Sequence, residues 1–280
     1  MTAMRWLTIL AAAAATLSAQ TAAPNAAGVS AGHIHLSVPD PDAMIDTVAN
    51  VLGGEKMSKG QLNMVKLPNI FVIVTPNQNP TGGTNGSTVH HVGFMVKDFA
   101  DIKAKAEAEG LAVQELTPGV QAFINLGNDV MIEVQQDENI DHDVEFHHFH
   151  MQSPNPPPNL AWYMENFGGQ PGERRGQPVA LIPGGEVDFL PAGMGRGKGK
   201  GKGKGKAAAA PPPAPTKGRA LDHIGFEIVD LPAFIEKLKA NGVKMDTEMI
   251  DMTDQFGLKI AFLTDPNGTY IELTEGLDDM

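Results

Sequence analysis

Apolar and polar positions alternate along this chain in four short runs, each with histidine set among apolar residues. They read Gly32-His33-Ile34-His35-Leu36, Val89-His90-His91-Val92-Gly93-Phe94, His147-His148-Phe149-His150-Met151 and Leu221-Asp222-His223-Ile224-Gly225-Phe226. Alternation with period two predicts strands. Behind each run the spacing becomes helical and then stops at glycine. The predicted helices are Ala43 to Leu52 (Met44, Ile45, Val48, Leu52) before Gly53-Gly54, Phe99 to Glu109 before Gly110, Leu160 to Phe167 before Gly168-Gly169, and Pro232 to Asn241 before Gly242. Further strand patterns follow each stop: Leu62 to Leu67 and Ile70 to Thr75; near Val113, Ala122 to Leu126 and Val130 to Val134; Val179 to Ile182 and Glu186 to Leu190; Leu258 to Leu263 and Thr269 to Thr274.

The four stretches are repeats. A displacement of 115 residues carries His33 onto His148, Pro39 and Pro41 onto Pro154 and Pro156, Gly53 and Gly54 onto Gly168 and Gly169, Pro68 onto Pro183 and Pro76 onto Pro191, without a gap. A displacement of 132 carries His91, Gly93, Phe94, Asp98 and Gly110 onto His223, Gly225, Phe226, Asp230 and Gly242. The expected fold is therefore α+β, with four βαβββ units forming two tandem paired-module barrels. The expected domains are 32–137 (units 32–76 and 89–137) and 145–275 (units 146–192 and 219–275).

Composition sets the limits around this frame. At 280 residues, 42% hydrophobic and 19% charged, the chain can bury a sizeable core. A net charge of −12 argues against general affinity for nucleic acid or anionic lipid. With no cysteine, disulfides, thiolate metal sites and a cysteine nucleophile are excluded, leaving His, Asp and Glu as ligands. Residues 1–19 read as a signal peptide, with an apolar Trp6 to Leu17 run too short to span a bilayer comfortably. The expectation is an exported protein, periplasmic or secreted, without membrane insertion, monomeric or homodimeric, acting on a small molecule. Residues 20–31 are expected to be a disordered N-terminus. Glycine alternates with lysine or arginine from Gly195 to Lys206, followed by alanines and Pro211-Pro212-Pro213, so 193–218 is expected to be a disordered tether.

On a strand, residues i and i+2 share a face, so His33 with His35, and His148 with His150, point the same way. Acids interrupt the apolar last strand of three units: Glu133, Asp188 and Glu272. The 115-residue displacement puts Ile73 at the matching place in the first unit. One such acid reads equally well as an edge-strand residue facing water. Three at repeat-equivalent positions, with four histidines at another, point to a site for a divalent ion, since a buried carboxylate is costly unless paired or metal-bound. The ion could be Fe, Mn, Ni or Zn.

Paired βαβββ units with His in the first strand and Glu in the last resemble the vicinal oxygen chelate superfamily of glyoxalases, extradiol dioxygenases, epimerases and bleomycin resistance proteins. The Asp265-Pro266-Asn267-Gly268-Thr269-Tyr270-Ile271-Glu272-Leu273 end is the closest local match. The resemblance implies metal ligands His33, His91 and Glu133 in one half and His148, Asp188, His223 and Glu272 in the other. If units pair across the halves, the sets become His91, Glu133, His148 and Asp188, and His33, His223 and Glu272. It also implies a metal-dependent lyase or isomerase chelating vicinal oxygens, with Glu272 or Glu133 as general base. An Fe(II) extradiol-type dioxygenase, with His35 or His150 as acid–base group, and a non-catalytic binding or resistance protein are the alternatives.

Overall fold

The computed structural model describes residues 21–191 and 211–279. The signal-peptide segment and the Gly-Lys run lie outside the described residues. Unit 1 comprises β1 (Val29–Val38), α1 (Pro41–Leu52), β2 (Glu55–Lys59), β3 (Leu62–Leu67) and β4 (Ile70–Pro76). Unit 2 comprises β5 (Val89–Val96), α2 (Phe99–Ala108), β6 (Ala112–Thr117), β7 (Gln121–Asn125) and β8 (Met131–Gln136). Unit 3 comprises β9 (Val144–Ser153), α3 (Pro156–Phe167), β10 (Gln170–Arg174), β11 (Gln177–Ile182) and β12 (Gly185–Pro191). Unit 4 comprises β13 (Leu221–Ile228), α4 (Leu231–Ala240), β14 (Met245–Met252), a short α5 (Thr253–Phe256), β15 (Leu258–Thr264) and β16 (Tyr270–Glu275).

Local chemistry explains where the helices begin. Asp40, Asp98 and Asp230 each accept a hydrogen bond from the backbone N–H three residues on, satisfying a donor that the first turn leaves free. Pro41 and Pro156 open α1 and α3, where a missing N–H costs nothing. Gly53 and Gly168 end them in the left-handed conformation, at φ 78° and 70°.

The units form two eight-stranded sheets, ordered β14-β15-β16-β13-β1-β4-β3-β2 and β10-β11-β12-β9-β5-β8-β7-β6. Within each unit the first strand runs parallel to the last; between units the two first strands meet antiparallel. Of the two pairings the sequence left open, the units meet across the halves: unit 1 shares its sheet with unit 4, and unit 2 with unit 3. Linker length supplies the reason. Only seven residues, 137–143, join β8 to β9, and this short connection keeps to the sheet the chain has just left. Twelve residues, 77–88, join β4 to β5, and a longer stretch joins β12 to β13, so the chain changes sheet at those two places.

The helix-covered faces of the two sheets share one core. Phe167 of α3 stacks against Phe226 of β13 (ring centroids 4.7 Å) and Phe234 of α4 (5.7 Å), and Phe149 of β9 meets Phe226 at 5.8 Å. The opposite faces, where the histidines lie, are thus left for chemistry.

Two expected disordered segments are partly ordered. In 21–31, Asn25 donates to the Phe167 carbonyl (2.9 Å) while its side-chain oxygen accepts from Ala27 N and Val29 N, and Val29 to Ala31 are buried in the sheet. Residues 211–218 lie against the 81–88 loop through Thr88 N to Ala214 O (2.9 Å) and Ala214 N to Gly86 O (2.8 Å), and buried Thr216 accepts from Tyr270 N (2.8 Å). Backbone partners outweigh the composition in both.

Candidate metal centres

Strand register assembles the histidines. Where β1 and β13 meet, His35 lies opposite His223 and His33 opposite Gly225; where β5 and β9 meet, His91 lies opposite His150 and Gly93 opposite His148. Glycine is required at both places. A Cβ on Gly225 would fall 2.0 Å from the His33 ring, and one on Gly93 1.9 Å from the His148 ring. Each His-x-Gly strand supplies one imidazole and the space for the imidazole of its partner.

In the first centre, between units 1 and 4, His33, His35, His223 and Glu272 each bring a ligand atom to within 4.8 Å of the others. One oxygen of Glu272 accepts from His33 Nε2 (3.0 Å) and from His223 Nε2 (2.7 Å). On its other side, His223 donates from Nδ1 to Asp222 at 2.7 Å. His35 meets Thr75 Oγ1 through Nε2 at 2.8 Å. Burial disfavours the charged ring of His223, but the hydrogen bonds to Asp222 and Glu272 win and raise its pKa to about 9. Burial would push Glu272 up; hydrogen bonds from His223 and His33 hold it well below the usual carboxylate range instead. Burial pushes His35 down to about 3 and also lowers His33. The Nδ1 atoms of His33 and His35 are buried without a partner among the described residues. Buried orphan nitrogens and a nitrogen-and-oxygen donor set suit a divalent ion. The same face carries a small apolar cluster of Met64, Phe71, Ile73 and Leu258, with the stacked Phe262 and Tyr270 rings beside His223.

The second centre, between units 2 and 3, gathers His91, Glu133, His148 and His150 by the same distance criterion. His91 Nε2 meets Glu133 at 2.9 Å and His148 Nε2 at 3.3 Å, and Gln121 donates to the other Glu133 oxygen at 2.6 Å. Burial would raise Glu133, yet the bonds from His91 and Gln121 bring it below its ordinary range. Burial, then the charges of His91 and Arg174, push His148 and His150 far down. A further group of His147, His148 and Glu186 adjoins this centre.

The seven predicted ligands divide by sheet. His33, His223 and Glu272 come together, as do His91, Glu133 and His148. Asp188 turns instead to Arg174, which hydrogen bonds it through both Nε (3.1 Å) and Nη2. Ile73 closes an apolar cluster and offers no ligand. His35 and His150 join the donor groups, and the i, i+2 spacing that puts them on the face of His33 and His148 was the available signal. Arg174 had none, because β10 is exposed and lacks the alternation of a half-buried strand.

Residues 145–273 match the family model described as Glyoxalase/Bleomycin resistance protein/Dioxygenase superfamily. No curated protein matches the sequence. Among solved structures the chain is similar to glyoxalase I from Zea mays (14% identity, 90% of this chain and 94% of that one, TM-score 0.65). It is also similar to a putative dioxygenase from Bacillus subtilis subsp. subtilis str. 168 (15% identity, 92% and 86% covered, TM-score 0.62). At such identities the likeness establishes the fold. The chain therefore shares the fold of glyoxalase I, and its residues 145–273 match the model of the glyoxalase, bleomycin resistance protein and dioxygenase superfamily.

Proposed function

We propose that this protein is a metal-dependent enzyme acting on a small molecule with two neighbouring oxygens, that its working centre is His33, His35, His223 and Glu272, and that its reaction is a lyase- or isomerase-type proton transfer. The supporting observation is the hydrogen-bond order at His223. With Nδ1 donating to Asp222, the Nε2 lone pair becomes available for a ligand once its own proton leaves. A bound divalent ion would supply Lewis acidity, stabilising the negative charge that develops on a substrate oxygen as the adjacent C–H is lost. Glu272 is kept ionised and is the group to take that proton. Asp222 orients His223, and the wall of Met64, Phe71 and Ile73 suits an apolar substituent while keeping water from the reacting carbon. The proposal extends to export: the first nineteen residues have the pattern of a signal peptide.

The test is solvent-deuterium exchange into hemithioacetal or 2-acyl substrates after loading the full chain with Ni(II), Mn(II), Fe(II) or Zn(II). Exchange that Glu272→Gln abolishes is expected; absence of exchange with every ion would overturn the reading. One observation favours a second reading, an Fe(II) dioxygenase. His33 and His223 share one Glu272 oxygen, giving the two-histidine, one-carboxylate set, with neutral His35 4.3 Å from the His223 ring as an acid–base group. Oxygen uptake with catechol-like substrates, without exchange, would select it.

A further inference from the structure

The second centre differs from the first in one half-buried cation. Arg174 ends β10, hydrogen bonds Asp188, pairs with Glu186 at 2.9 Å, and brings Nη2 to 3.3 Å from His150 Nδ1 and Nη1 to 3.5 Å from His148 Nδ1. We propose that Arg174 is a built-in cation that closes the second centre to metal, so that the chain carries one metal centre and one guanidinium-filled centre. The proposal rests on the metal reading of the first centre.

The reason is the position of protons. A guanidinium can only donate, so any nitrogen it bonds must accept. A neutral imidazole that accepts at Nδ1 carries its proton on Nε2. At His150, which Arg174 approaches at Nδ1, that Nε2 is buried without a partner among the described residues. To ligate through Nε2, His150 must become an imidazolate or give up Arg174. His223 has the reverse order, with Nδ1 donating to a carboxylate.

The repeat shows that these residues go together. The 115-residue displacement places Arg174, Glu186 and Asp188 on Lys59, Phe71 and Ile73 of unit 1. With apolar residues where unit 3 has its two acids, Lys59 has nothing to hold it over the histidines, and its Nζ lies beside Gly257 instead. An arginine and two acids in one unit, with a lysine and two apolar residues in the other, set a guanidinium against the histidines of one centre and an apolar wall beside those of the other.

The experiment counts bound Co(II) per full-length chain by elemental mass spectrometry after loading and desalting. One equivalent is expected in the wild type, none in Glu272→Gln, two in Arg174→Met and one in the double variant. Two equivalents in the wild type, or one in a folded Arg174→Met, would overturn the proposal. Should Arg174→Met unfold because Asp188 is left without its partner, the triple variant Arg174→Met, Glu186→Phe, Asp188→Ile, carrying unit-1-like apolar residues, replaces it with the same expected gain. No Co(II) in any variant would defeat the metal reading itself. The proton placement has its own readout. Long-range nitrogen–proton NMR of the metal-free protein should show the His150 proton on Nε2; a proton on Nδ1 would overturn the proposal whatever the first centre binds.

Discussion

The two centres are built on one plan and differ in what surrounds the histidines. Each has three imidazoles, contributed by a His-x-His strand and a His-x-Gly strand meeting antiparallel, and a glutamate from the last strand of the His-x-Gly unit. Around the first stand a carboxylate on His223 Nδ1 and an apolar wall; around the second stand a guanidinium and two acids. A donor set does not by itself make a metal site. The partners behind each ring decide which nitrogen carries the proton, and hence whether the ring can ligate.

The largest break in the comparison should come from the shared glutamate of each centre. Glu272→Gln should lower turnover by about 10³-fold or more in the metal-loaded protein, whereas Glu133→Gln should change it little. Equal losses in steady-state assays would show both centres working. The glycines give the next effect. Gly225→Ala places a methyl within 2.0 Å of the His33 ring and should abolish tight metal binding, at about 1–3 kcal/mol in stability. Gly93→Ala puts the same strain on His148 and should cost similar stability in thermal unfolding while leaving metal content unchanged. Asp222→Asn sharpens the comparison at a single atom. Losing the carboxylate behind His223 should weaken metal affinity about 10–100-fold by titration calorimetry, without unfolding the chain.

The smallest effect concerns the sheets rather than the centres. Glu227 of β13 is buried where the 132-residue displacement puts Met95 in β5. Burial raises its pKa from the ordinary 4.5 to about 7, even though Thr274 and the backbone N–H groups of Gly276 and Leu277 donate to it. The folded state therefore holds this proton more tightly than the unfolded chain. The stability it contributes is full below about pH 4.5 and is lost as pH rises through 7. Glu227→Gln keeps the acceptor oxygen and removes the charge. Denaturant unfolding should find it more stable than the wild type by about 1–2 kcal/mol at pH 8, with the difference gone at pH 4.

Much of this was legible in the chain because both halves of the argument are periodic. The first and last strands of each unit are buried on at least one face and announce themselves by alternation or by apolar runs, as in Val130 to Val134. Edge strands β2, β10 and β14 do not: Glu55–Lys59, Gln170–Arg174 and Met245–Met252 are largely exposed, so no burial pattern marks them. Arg174 was hidden for that reason. Asp188 was read as a ligand from its repeat position, and a carboxylate cannot announce whether an ion or an arginine will satisfy it. Grouping units 1 with 2 and 3 with 4 followed sequence order. His-x-His meets His-x-Gly equally well in either pairing, so local complementarity did not choose.

The sequence alone determined the four units, the histidine pairs that share a strand face, and the acids available as ligands, since spacing fixes which side chains share a face. The tertiary structure decided which units meet, because the lengths of the connections, and not the strands themselves, select the neighbour. It also decided what stands behind the histidines of each centre: Asp222 behind His223, and Arg174 behind His148 and His150, brought from the far edge of a sheet.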